Sequence, residues 1–204
     1  MHNRMAFLAA FALALIPQNA SARELSIATV TPQGVACVFS PRCAVTPTDS
    51  TGFFQMFGQS GYGRLLTRSY PGLPGTQAAG LTGYSYVVVM RGARSLGYPN
   101  CVKKLTLDVG PVVPLKFAAK RDSDMFMVGA PQGAAIASAE QEGSKIVIRF
   151  AQQICPGDKG VVESLYFGFA ARSGPAPSKA QVTGSVRPGA TDDMANVDVR
   201  VPKH

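Results

Sequence analysis

The sequence predicts an all-β fold: an antiparallel β-sandwich, immunoglobulin-like or jelly-roll-like, stapled by disulfides. Many short stretches alternate apolar with polar residues and are separated by glycine, proline and serine, and no long stretch repeats its apolar residues at helical spacing. One stretch, 83–91, is apolar on both sides in its second half, as a central strand is: Tyr84, Tyr86, Val88 and Met90 fall on one face, Ser85, Val87, Val89 and Arg91 on the other. Four cysteines, Cys37, Cys43, Cys101 and Cys155, follow a segment with the marks of an export signal.

Residues 1–22 read as that signal. His2, Asn3 and Arg4 make a short basic start, an apolar run extends from Met5 to Ile16, Pro17 ends it, and Ala20-Ser21-Ala22 fits the small-residue cleavage pattern. The mature chain is expected to begin at Arg23 and to form one domain over 23–204. The run is shorter than a comfortable bilayer span, and no later apolar stretch reaches about 18 residues. The expectation is a secreted or periplasmic protein that does not span a membrane.

The first two strands are expected over 25–30 and 35–39, with Thr31-Pro32-Gln33-Gly34 as the turn between them. Strands over 53–57 and 62–70 precede the central one. Leu105, Leu107 and Val109 alternate with Thr106 and Asp108 until Gly110-Pro111 breaks the strand; 116–118 and 125–129 follow. Residues 133–142 are alanine-rich and close on Gly143, but Ile136 is their only large apolar residue, so a strand or loop is preferred to a helix. Residues 145–150 alternate cleanly, with Ile146, Ile148 and Phe150 inward and Lys145, Val147 and Arg149 outward. Residues 164–171 place Leu165, Phe167 and Phe169 on one face. Late strands are expected over 181–186 and through Val197, Val199 and Val201, with loops at 174–179 and 187–193.

Two bridges are expected, Cys37–Cys43 and Cys101–Cys155. Cys101 precedes the Leu105 strand and Cys155 follows the Lys145 strand; if those strands pair antiparallel, the start of one lies beside the end of the other. Cys37 and Cys43 flank a short loop that one bridge would close. Zinc or thiol-exchange spacing is absent.

The formal charge of +8 is spread out, with Lys103-Lys104 and Lys120-Arg121 the only adjacent basic pairs, so a solvated surface is expected and no nucleic-acid site. The two histidines, His2 and His204, stand in the signal and at the last position, which leaves no imidazole for a Ser-His or Cys-His mechanism. Gly58-Gln59-Ser60-Gly61 departs from a nucleophile elbow at Tyr62, and Gly61-Tyr62-Gly63 departs from a dinucleotide fingerprint at Leu66. Nothing brings Asp108, Glu140, Glu142 or Glu163 together as a catalytic carboxylate pair. Asp122 and Asp124, at alternate positions, are the weak candidates for calcium, beside Lys120 and Arg121 and without the rest of a calcium loop. No cofactor is expected. Tyr62, Arg64, Leu66, Arg68 and Tyr70 share one face of their strand, a combination that suits a protein partner or an anionic glycan, or an edge guarded against aggregation.

Tyr70-Pro71-Gly72-Leu73-Pro74-Gly75-Thr76 with Ala79-Gly80-Leu81-Thr82-Gly83-Tyr84, then Leu105 to Pro111, then Leu165 to Ala170, resemble segments of exported bacterial β-sandwich domains of uncharacterised function, over roughly 53–171. The resemblance implies the fold and export and transfers no catalytic residue. The expected function is an exported structural or binding module of the cell envelope or extracellular space, meeting a protein or glycan. The alternatives are a carbohydrate-active or calcium-assisted hydrolase working through Asp or Glu, and a polyanion-binding protein.

Overall fold

The computed structural model describes residues 22–118, 121–129, 132–185 and 191–204. Expectations at 1–21, at Lys120, at Val186 and at 187–190 lie outside the described residues. In chain order the elements are β1 (Arg23–Glu24), β2 (Ile27–Val30), α1 (Pro32–Phe39), β3 (Thr48–Phe54), β4 (Gln59–Gly61), β5 (Gly63–Pro71) and β6 (Thr82–Val89). They continue with β7 (Ala93–Ser95), β8 (Cys101–Asp108), β9 (Leu115–Ala118), β10 (Arg121–Ser123), β11 (Met125–Val128) and β12 (Ile136–Glu142). The last four are β13 (Lys145–Ile154), β14 (Phe167–Ala171), β15 (Pro175–Ser185) and β16 (Asp193–Pro202).

Two six-stranded sheets face one another, in the orders β1-β12-β13-β8-β15-β16 and β2-β11-β14-β6-β5-β3. Pairing within them is antiparallel except between β2 and β11. The central strand is β6, between β14 and β5, and both of its faces are buried. Its inward residues Tyr84, Tyr86, Val88 and Met90 meet Leu105 and Leu107 of β8, Ile146 and Ile148 of β13, and Phe167 and Phe169 of β14. Tyr84 and Tyr86 stack on Phe169 at 5.7 and 5.8 Å, and their hydroxyls donate to the carbonyls of Ser173 and Arg200, so the polar ends of both rings are satisfied.

Both sides of the sandwich are closed. On one, β16 lies so close to β3 that a Cβ on Gly52 would sit 1.9 Å from the Asp198 carbonyl oxygen. On the other, the chain itself crosses: β1 pairs with β12 in the first sheet and, two residues on, β2 pairs with β11 in the second. Both bridges form as expected, Cys101–Cys155 at the meeting of β8 and β13, where Ile154 registers with Val102.

The structure corrects several local expectations. Residues 35–39 form the end of α1, not a strand: Thr31 caps the helix by accepting from the Gly34 N–H at 3.0 Å, and Pro32 opens its first turn. Spacing of three and four then puts Val35, Val38 and Phe39 on one face, against Tyr70, Phe117 and Phe126 on the outside of the second sheet. Residues 174–179, expected as a loop, mostly belong to β15, whose first half pairs with β16 alone. Pro175 and Pro177 sit at alternate positions there, where the missing N–H groups face no neighbouring strand. Val147, expected outward, is buried between its register partners Glu140 and Thr106. Residues 136–142 are strand, as preferred.

Candidate functional site

Among the described residues, the outer face of the second sheet is covered by α1 and β9 at one end only. Over the rest, β5, β6, β11 and the approach to β14 leave a trench, and its shape has a local cause. Tyr86 registers with Phe167 and Val89 with Glu163, so two residues of β6, Val87 and Val88, face three on the facing segment, Ser164, Leu165 and Tyr166. That extra residue is a β-bulge, a device that re-aims side chains. Its mark is the Val88 N–H, which donates to the Ser164 hydroxyl at 3.0 Å rather than to a backbone carbonyl. Leu165 thereby leaves the face of Phe167 and Phe169, against expectation, and joins Tyr166 on the outside. The Tyr166 carbonyl accepts from the Val128 N–H at 2.8 Å, which holds the bulge against β11.

Two concavities adjoin at Val128 and Tyr166. The larger, about 450 Å³, has an apolar floor of Leu66, Val87, Val89 and Leu165 and polar walls of Arg64, Arg91, Glu163 and Gln132. The second, about 320 Å³, runs from Tyr166 and Arg68 to Pro32, Val35 and Val45 beside α1. Arg68 lies 5.3 Å over the Tyr166 ring, between the two. Along β5 the outward Arg64 and Arg68 stand four residues apart, roughly 13 Å on a strand. Arg68 meets Asp49 at 3.3 Å and Arg91 meets Glu163 at 3.7 Å, both in exposed pairs; among the described residues Arg64 has no carboxylate within 4 Å.

The face expected from Tyr62, Arg64, Leu66, Arg68 and Tyr70 is thus divided. Arg64 and Leu66 line the larger hollow and Arg68 the smaller. Tyr62 precedes β5, with its ring edge-on to Phe53 at 6.4 Å. Tyr70 is packed edge-on against Phe39 at 4.9 Å, and burial pushes its hydroxyl well above the ordinary range. Sequence reasoning missed Tyr166, set Arg91 only on the outer face of the central strand, and weighed Glu163 only as a catalytic carboxylate. The one available signal was that Val87 and Val89 face outward from a central strand, which requires something to lie over them.

Asp122 and Asp124 do not converge. Asp122 is exposed, whereas Asp124 is buried and turned back on the chain. Its Oδ1 meets Arg23 at 2.9 Å and its Oδ2 accepts from the N–H and hydroxyl of Ser26 at 2.9 and 2.8 Å, while its own N–H donates to that hydroxyl. Among the described residues no three His, Cys, Asp or Glu side chains gather as a metal site. Burial raises the Asp124 carboxyl, but the Ser26 groups and the Arg23 guanidinium outweigh it and hold it below the usual carboxylate range.

Asp124→Asn is therefore expected to lower stability at neutral pH by about 2 kcal/mol. The folded carboxyl binds its proton less tightly than the unfolded one, so the wild-type advantage is complete above about pH 4 and shrinks as pH falls through the lower folded value. Urea unfolding of both proteins between pH 7 and pH 2 measures it. A difference that stays constant over that range would remove the charge as its cause.

The remaining carboxylates are engaged or scattered. Glu163 and Asp158 border a further hollow, each facing an arginine, Arg91 and Arg94. Glu140 pairs with Arg149. His204 lies folded against the turn after β8, its Nε2 3.0 Å from Asp108 and its Nδ1 3.3 Å from the Pro202 carbonyl, so both ring nitrogens already have neighbours. No protein family, curated protein or solved structure matches this chain. Two disulfides suit an oxidising compartment, and among the described residues no helix is long and apolar enough to cross a membrane.

Proposed function

We propose that the protein is an exported binding module of the cell envelope or extracellular space whose trench takes an extended anionic chain, an acidic glycan first among them. The observation that carries the reading is the bulge before β14, which sets Tyr166 midway along an apolar floor with Arg64, Arg91 and Arg68 ranged beside it. An aromatic face and half-buried aliphatic side chains suit the apolar faces of sugar rings, and separated guanidinium groups suit carboxylates or sulfates repeating along a polymer. A repeat near the roughly 13 Å between Arg64 and Arg68 would meet both. The export signal expected over 1–22 supports only the exported part of the reading.

The reading is tested by calorimetric titration with polygalacturonate and with neutral dextran. Binding of the acidic polymer alone is expected, weakening with salt as screening grows. Arg64→Ala and Tyr166→Ala should each weaken it by about tenfold, or about 1.4 kcal/mol. Equal affinity for the neutral polymer, or full affinity in both variants, would overturn the trench as the site.

A further inference from the structure

At one end of the sandwich, away from α1, six large apolar side chains stand in solvent: Phe53, Phe57, Tyr62, Leu96, Tyr98 and Met194. They come from the end of β3, the turn between β3 and β4, the approach to β5, the link from β7 to β8 and the start of β16. Phe57, Leu96 and Tyr98 are 80, 71 and 75% exposed. These turns are tied to one another. The Leu96 N–H donates to the Gly58 carbonyl at 2.9 Å, and the Phe57 N–H donates to Asp193 Oδ2 at 2.7 Å. Asn100, fully buried, donates through Nδ2 to that same Asp193 oxygen at 2.8 Å and to the Phe57 carbonyl at 3.3 Å. A part-buried polar network thus fixes the very turns that present the apolar side chains, and large apolar side chains gathered in solvent at one end of a domain mark an interaction surface.

The occupant follows from shape and charge. Phe57 stands in one turn and Leu96 and Tyr98 in another, as exposed knobs that a fluid apolar phase accommodates without a preformed pocket. Arg64 and Arg91 line the open hollow beside Phe53 and Tyr62, and Arg94 is two residues from Leu96 on β7. Arg91 and Arg94 are held by Glu163 and Asp158 in exposed pairs that an incoming phosphate can replace at small cost. Apolar knobs flanked on one side by three guanidinium groups match the boundary of a bilayer, acyl chains below and headgroup phosphates beside them. We infer that this end of the molecule seats on the surface of a membrane containing anionic phospholipid, with Phe57, Leu96 and Tyr98 entering the interface. The trench, opening from the same arginines, would then lie close above that surface.

The chain contains no tryptophan, so Phe57→Trp supplies a single reporter at the apex. With vesicles of equal phosphatidylcholine and phosphatidylglycerol its emission should move to shorter wavelength, and with phosphatidylcholine alone much less. The triple variant Phe57→Ser/Leu96→Ser/Tyr98→Ser, which alters exposed side chains only and leaves every arginine, should keep its melting temperature and its polygalacturonate affinity yet lose vesicle partitioning by about tenfold or more. Unchanged emission, or equal partitioning of the triple variant, overturns the inference. So does a dimer in sedimentation that the triple variant abolishes, which would give the knobs to a second copy of the chain.

Discussion

Replacing Cys101 and Cys155 together by alanine is expected to lower the melting temperature by roughly 8–16 °C. The bridge closes a span of 54 residues. In the chain-entropy account such a closure removes enough freedom from the unfolded ensemble to stabilise by about 4 kcal/mol, and a domain of this size shifts by about 2–4 °C for each kcal/mol. Cys37 and Cys43 are only six apart, so their bridge stabilises by about 2 kcal/mol on the same basis. Scanning calorimetry of the two double-alanine variants decides between loop length and local packing as the cause. If loss of the Cys37–Cys43 bridge proves the more damaging, its hold on the end of α1 outweighs the entropy of either loop.

Phe169→Ala should cost about 3–5 kcal/mol, a large fraction of the stability of an ordinary domain. Phe169 is fully buried between the sheets and stacks on both Tyr84 and Tyr86, so its removal opens a void that two rings anchored at their hydroxyls are poorly placed to fill. Tyr84→Phe keeps the stack and loses one hydrogen bond, worth about 1 kcal/mol. Phe53→Ala, on an exposed ring at the far end of β3, should fall within about 0.5 kcal/mol of wild type. Urea unfolding of the three variants gives the ranking. Near-equal losses for Phe169→Ala and Phe53→Ala would mean that the core repacks far more freely than its stacked rings suggest.

The elements that were legible in the sequence are those whose period is long enough to show. β6 shows as an unbroken apolar run, β8 and β13 alternate over their middle residues and β16 over most of its length, and the antiparallel pairing of β8 with β13 was enough to place Cys101 beside Cys155. α1 has eight residues, too few to display a helical period, and Thr31-Pro32 opens a turn and a helix equally well. Pro175 and Pro177 spoke for a loop because whether a strand needs their N–H groups depends on a neighbour far away in the chain. The trench was half legible: Val87 and Val89 announced a covered outer face, and Arg64 and Arg68 an unusual strand. Tyr166 was hidden, because a bulge is a miscount between two partners some 80 residues apart and neither stretch carries a sign of it alone.

The crossing from β1 to β2 also orders events in time. Its partners lie far downstream: Arg23 and Ser26 wait for Asp124, at separations of 101 and 98 residues, and Arg23 also waits for Gln141, 118 residues on. A chain emerging N-terminus first therefore exposes its earliest strands through most of its synthesis or passage, with nothing yet present to receive them. Contacts of such separation are slow to form, since a long loop must close before they give any return. Those partners, in β11 and β12, are themselves followed by β13 to β16, so this side of the sandwich has nothing to close on until about two thirds of the chain has appeared.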